Sequence, residues 1–352
     1  MRFLQAAEPK DSPRQPRMRL SPMKQLAAGF TFLTKRAGQA LLVMLIIAII
    51  AFAVRAALGD PLREIAGESV PEAERAALRH ELGLDAPWPV QLGRYLGNAA
   101  RGDLGNSYIY KRSTLQIVLA KFPASFELVL GASLIVLIIS LPAGIYCAVR
   151  QDSLGARLIL GVSVLGISVP VFLTGIFLIT IFSVWLGWLP AFGRGETVKL
   201  WFWETGFLTR DGLAHLILPA LTLSSILLPL FIRLVRSAML EELGRDYIRT
   251  ARAKGASHLR VWLRHALRNA LIPLVAIGGL QIGNLIAFTL LTETVFQWPG
   301  MGFLFLEAVS HADIPLITTY LIAVGFLFVV TNTLVDLISL RLDPRIQLEG
   351  RR

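Results

Sequence analysis

The sequence predicts an all-α integral membrane protein with six transmembrane helices and a long structured external loop. Hydrophobic residues make up 54% of its 352 residues and charged ones only 17%. Mean hydropathy is +0.60, too apolar for a water-soluble globule or a disordered chain. The apolar residues fall into six runs, each able to cross a hydrocarbon core of about 30 Å, which takes roughly 20 helical residues. The charges fall into alternate connecting segments, as a membrane topology requires.

The six runs are 37–58, 128–149, 158–186, 213–232, 271–291 and 316–340, with a membrane body over 37–340 and tails at 1–36 and 341–352. Arg55, His215 and Asp336 are the charge-bearing titratable residues inside them. All three lie near an end, where a polar tip reaches the interface. With both termini on the inside, the inner segments hold 23 Lys and Arg against 8 acidic residues, and the outer loops 11 against 15. That is the positive-inside pattern, and it accounts for the net charge of +11 without a nucleic-acid partner. A cleaved signal peptide is disfavoured because 36 residues precede the first run. The single cysteine, Cys147, can form no internal bridge. Residues 1–25 read as a flexible tail.

The outer loop 59–127 is amphipathic. Ser69 with Glu72 forms a capping-box pattern opening a short helix that Gly83 closes. A second piece over 89–99 leads into Arg101-Gly102-Asp103-Leu104-Gly105-Asn106-Ser107, whose glycines require a turn. A structured loop of this length is either a functional surface or a lid on the outer mouth.

The inner loop 233–270 carries two helices. Leu240, Leu243, Tyr247, Ile248 and Ala251 recur at helical spacing up to Gly255, and Ser257 is placed to cap the second helix. There Leu259, Trp262, Leu263, Ala266, Leu267, Ala270 and Leu271 form an apolar stripe opposite Arg260, Arg264, His265 and Arg268. The helices meet at Ala253, Lys254, Gly255 and Ala256. Such a pair either lies in the lipid headgroups or presents a docking elbow to a partner.

Polar residues inside the spans are few. Gly279 and Gly283 form a small-xxx-small face for helix packing, and Gln281 and Asn284 share a neighbouring face. These two amides serve either an interhelical hydrogen bond or a polar strip on a pore wall. Arg233 and Asp336, at inner helix ends, form either an ion pair or a gate. Pro142, Pro170, Pro219 and Pro229 are expected to kink their helices.

The stretches 247–255 (YIRTARAKG) and 264–273 (RHALRNALIP) resemble the coupling-loop signature of binding-protein-dependent ABC importer permeases of the dipeptide and oligopeptide subfamily. Further matches are 59–61 (GDP), 82–85 (LGLD) with Pro87, 102–105 (GDLG), 186–190 (LGWLP), 218–220 (LPA), 293–302 (ETVFQWPGMG) and 342–345 (LDPR). Residues 1–34 have no counterpart. The general ABC coupling motif begins with an acidic residue, where this chain has Thr250 before Ala251, a departure typical of the subfamily.

The resemblance implies a type I permease forming half of an importer pore in a bacterial inner membrane, with an ATPase-coupling site at Tyr247, Thr250, Ala251, Arg252, Ala253, Lys254, Gly255, Ala256 and Arg264. It implies four kinds of partner: a second homologous permease in a heterodimer, two cytoplasmic ATPases, a solute-binding protein and the lipid bilayer. The expected solute is a short peptide, with a nickel complex, glutathione or an oligosaccharide as alternatives. No phosphate loop of the form Gly-x-x-x-x-Gly-Lys-Ser/Thr occurs, so ATP and Mg are expected on the partner chains, with no cofactor or metal bound here. A membrane enzyme is disfavoured because no His-Glu-x-x-His or Gly-x-Ser-x-Gly motif occurs. An ion-coupled transporter is disfavoured because no ionisable group lies mid-span. Reporter fusions after Trp88 and after Gly255 should report opposite sides of the membrane; the same side for both would exclude this topology.

Overall fold

The computed structural model describes residues 22–57, 85–201 and 203–342. The expected cap at Ser69 and Glu72, the close at Gly83 and the tail beyond 342 lie outside them. The first helix, α1 (Pro22–Ala57), is divided between two compact units at Leu42 and Val43. Its helical start at Pro22 corrects the reading of 1–25 as wholly flexible tail.

Within the second unit α2 (Trp88–Ala100) precedes α3 (Thr114–Val149), which begins well ahead of the expected boundary at 128. Pro123 and Pro142 sit inside α3 without ending it. The third apolar run is not one helix. It divides into α4 (Leu154–Ser168) and α5 (Val171–Leu178), the latter continuing as a π-helical stretch, Ile179–Trp185. Pro170 is the reason: it forces Val169 into extended backbone (φ −91°, ψ 123°) and has no N–H to continue the ladder. At the other end of α4, the Ser153 hydroxyl accepts from Ala156 N–H at 3.1 Å.

A two-stranded antiparallel hairpin follows, β1 (Val198–Leu200) against β2 (Trp203–Thr205), with Leu200 opposite Trp203. The fourth run is also broken, into α6 (Arg210–Ser224) and α7 (Leu228–Leu243), bent by 65°. The Ser224 and Ser225 hydroxyls take the carbonyls of Leu221 and Thr222 at 2.8 and 2.7 Å, and Pro229 opens the next helix. Side-chain back-bonding followed by proline turns the chain. After α8 (Asp246–Ala253) comes α9, one helix from His258 to Val295 with a π-helical stretch at Val261–Ala266. The second helix of the inner loop and the fifth span are therefore continuous, which corrects the expected boundary at 270. α10 (Met301–Ser310) and α11 (Ile314–Leu342) complete the described chain.

Among the described residues α3, α9 and α11 are each long and apolar enough to cross a membrane, and the bent pair α6–α7 meets the same length and composition when its two helices are taken together. The described apolar stretch 36–50 of α1, together with α4 and α5, supplies shorter apolar helices. Large side chains such as Ile138, Leu158 and Phe326 stay exposed, as a lipid-facing surface requires. The interior runs along α3: Leu128, Ala132 and Val136 pack with Leu223 of α6, Phe231 of α7 and Leu285 of α9.

Glycines set the closest approaches. A Cβ on Gly144 of α3 would lie 2.5 Å from Val235 Cβ and 2.9 Å from the Ile232 carbonyl, so α7 rests against bare backbone. Gly144→Val should destabilise the protein by about 1–3 kcal/mol through overpacking. The comparison is the melting temperature in detergent against Gly161→Val, where an added Cβ meets nothing within 4 Å.

Candidate functional site

The site is built where α7, α8 and the start of α9 meet. The helical run expected from Leu240 to Ala251 is interrupted at Gly244 and Arg245, so α8 is a separate eight-residue helix. So short a helix has little stability of its own and depends on packing. Ile248 supplies it, fully buried among Val235 and Met239 of α7 and Val261, Ala266 and Ala270 of α9.

The exit from α8 is a Schellman turn. Ala256 N–H donates to the Ala251 carbonyl at 3.1 Å and Gly255 N–H to that of Arg252 at 2.9 Å, with Gly255 at φ +78°. Thr250, Arg252, Ala253, Lys254 and Gly255 are exposed, Ala251 and Ala256 are half-buried, and a Cβ on Gly255 would meet nothing within 4 Å. The bend is thus an open elbow with accessible backbone. Ser257 occupies the cap position with extended backbone, but its hydroxyl makes no capping bond.

The π-helical stretch corrects the expected stripe. Its wider turn spaces Val261 and Ala266 by five residues, after which Ala270 and Leu274 follow at four, and all four are buried. Leu259 and Leu263, expected on the apolar stripe opposite the arginines, are instead 62% and 48% exposed. They stand on the outer surface with Arg260, Arg264 and Arg268. An outward face that mixes leucines with arginines can dock a partner by both apolar burial and charge.

One polar cluster crosses all three helices. Tyr247 donates its phenol to Glu242 Oε2 at 2.5 Å and accepts from Asn269 Nδ2 at 3.0 Å; Asn269 also approaches Glu242 at 3.4 Å. Burial first, and the Glu242 carboxylate second, push the Tyr247 phenol above its ordinary range, so it remains a neutral donor.

Along α9, Asn284 donates to Gln281 Oε1 at 2.9 Å, with Asn284 exposed. Gly279 lies against Val335 and Gly283 against the Phe328 ring, both on α11. Arg233 is exposed and donates to the Pro229 carbonyl of its own helix at 3.2 Å. No group of three or more His, Cys, Asp or Glu is gathered for a metal ion among the described residues.

With this geometry in place, the chain can be set beside known proteins. Residues 140–348 match the family described as binding-protein-dependent transport system inner membrane component, and residues 29–129 match that family's N-terminal region. The chain belongs to this family. The permease is 40% identical to the di/tripeptide transport system permease protein DppB of Pseudomonas aeruginosa, covering 90% of this chain and 98% of that one. It is 37% identical to the glutathione transport system permease protein GsiC of Shigella flexneri, over 82% and 89% of the two chains. It is also 36% identical to the oligopeptide transport system permease protein AppB of Bacillus subtilis, over 90% and 99%. Among solved structures, a chain of the MetNI methionine ABC transporter in an inward-facing conformation superposes with a TM-score of 0.50 at 18% identity, over 64% of the permease and 96% of that chain. The permease therefore has the type I fold and is a multi-pass protein of the inner membrane.

Three buried carboxylates at the opposite end of the permease were given no role in the sequence reading, where Glu293 stands only within the 293–302 stretch. Glu127, 2% exposed at its side chain, pairs with Arg194 at 2.7 Å and accepts from Gly206 N–H at 3.0 Å, fastening the hairpin region to α3. Glu293 accepts from the Ser125 hydroxyl at 2.6 Å and from Phe303 N–H at 3.0 Å, which caps α10. Asp313 accepts from the Ser107 hydroxyl, and from Ile109 and Leu316 N–H groups at 3.3 Å, tying the 102–107 turn to α11. Nearby, burial and the Glu307 carboxylate push Tyr110 up to about 12. An available signal was position: Glu127 and Glu293 border apolar runs, where an unpaired charge is costly.

Removing one partner of such a pair leaves the other charge buried. Glu127→Ala should lower stability by about 3 kcal/mol, read as a fall in melting temperature, while Glu127→Ala with Arg194→Ala should recover part of it.

Proposed function

We propose that the permease forms half of the translocation pore of an ABC importer for short peptides. Its partners are a second homologous permease, two ATPases that bind ATP and Mg, and an external solute-binding protein, with both termini in the cytoplasm. The carrying observation is the open elbow at Gly255, built from neighbouring helices and presented outward beside Leu259, Leu263 and Arg264. An ATPase groove can reach backbone there without steric obstruction. The peptide reading rests on relatives that are dipeptide and oligopeptide permeases by name. The glutathione relative fits the same class, since glutathione is a small peptide.

Gln281 and Asn284 suit a pore wall for such a solute. Paired with each other at 2.9 Å, they keep one amide hydrogen-bond donor group and one carbonyl between them for a passing peptide group. The glycines beside them serve the contact with α11.

Cells carrying the complete transporter should take up radiolabelled dialanine. The Gly255→Val variant should reach the membrane in wild-type amounts yet lose most uptake and solute-dependent ATP hydrolysis. A β-branched residue at φ +78° is strained by about 1 kcal/mol or more, and its side chain obstructs the docking face. Normal uptake by Gly255→Val would exclude the docking role.

A further inference from the structure

The elbow is held to the rest of the permease in two ways. Ile248 is an apolar pin, fully buried between α7 and α9. Packing of this kind is strong but not directional, and allows a short helix to roll or slide on its bed. The second attachment is the polar cluster. Hydrogen bonds fix distance and angle together, and those to a carboxylate are the stronger ones.

We infer that Glu242, Tyr247 and Asn269 form a transmission node that makes the elbow and α9 move together, and that this node, rather than the apolar pin, sets the efficiency of coupling. The inference rests on the importer reading. Glu242 is contributed by the last turn of α7, Tyr247 by the first turn of α8 and Asn269 by α9, so a single phenol oxygen joins three helices. Arg245, in the turn between α7 and α8, holds the far carboxylate oxygen of Glu242 at 3.3 Å and fixes its orientation. Asn269 adjoins Ala270, which is 1% exposed and seats α9 against α7. From Asn269 to Gln281 is about 18 Å along α9 at 1.5 Å per residue. Gly279, within that reach, packs on Val335 of α11. A pull on Tyr247 is thereby delivered to the helix that carries the polar pair.

The node is also suited to adjustment. Tyr247 is 37% exposed, so its bonds exchange with water at low net cost, and their loss need not unfold the elbow while Ile248 remains buried. The node is thus a positioning device, and its removal is separable from loss of structure.

The test uses the permease purified with its companion permease, ATPases and binding protein in lipid nanodiscs, with dialanine as the probe. The readout is the ratio of ATP hydrolysis with and without loaded binding protein. Asn269→Leu and Glu242→Leu should leave complex recovery and basal hydrolysis at wild-type levels and reduce the ratio roughly tenfold, the scale of one lost charge-assisted hydrogen bond. Glu242→Gln, which keeps an acceptor for the phenol, should retain the ratio within about twofold. Tyr247→Phe combined with Asn269→Leu should be no worse than the poorer single variant. A wild-type ratio in Asn269→Leu and Glu242→Leu would overturn the node. So would a fall in recovery and basal hydrolysis parallel to the ratio, or failure of Glu242→Gln alongside Glu242→Leu. Absence of dialanine stimulation in the wild-type complex would instead overturn the dipeptide reading on which this test of the node rests.

Discussion

The seam between α3 and α7 positions everything at the elbow end. Gly144 offers no side chain, so Val235 and the Ile232 carbonyl sit directly on α3. That contact sets the height and rotation of α7, and with them the direction in which Val235 and Met239 point. Those two side chains form one wall of the pocket that holds Ile248, and Val261 and Ala266 form the other. A helix of eight residues cannot choose its own place, so the elbow inherits its position from a helix contact inside the body of the protein.

The hairpin end adds a different force. Its segments are short, and besides packing in apolar clusters such as Met301, Leu304 and Leu316 they are fastened at defined points. Buried carboxylates take that role, each accepting from a hydroxyl or backbone N–H of a segment distant in sequence: Gly206 for Glu127, Ser125 for Glu293 and Ser107 for Asp313. Directional bonds can hold loops that packing cannot. Their cost in desolvation is met because every carboxylate is multiply bonded. Both ends thus combine apolar packing with directional bonds, the buried carboxylates adding fixed points where the chain makes loops.

The apolar runs were legible from length, because crossing a bilayer demands one dimension that residue counting measures; among the described residues three of the six stand within single long helices and a fourth as a bent pair. The breaks inside those runs were less so. Pro170 was visible as a kink, yet the same residue could have been absorbed, as Pro142 is within α3. The 65° turn before Pro229 depends on two serine hydroxyls choosing carbonyls of their own helix, which residue type alone does not decide. At the site, Gly255 was legible because a positive φ and an exposed turn both select glycine. The burial of Val261 and the exposure of Leu259 and Leu263 were not, since a regular helical period assigns faces wrongly across a π-helical stretch. Glu242 and Asn269 lie 27 residues apart, and only the folding of α8 between them brings both to one phenol.

The π-helical stretch also sets how the elbow surface is turned relative to the spanning face of α9. A regular α-helix running from His258 to Val295 would lock the angular position of every residue on the elbow surface to that of every residue in the membrane. The wide turn at Val261–Ala266 resets that angle by about the share of one residue, roughly 100°. The elbow surface and the spanning face of α9 are consequently set at a fixed offset on a single rod. Removing one residue from the wide turn would re-face Gln281, Asn284 and the glycines relative to the elbow, whereas a side-chain substitution on the docking face leaves them where they are.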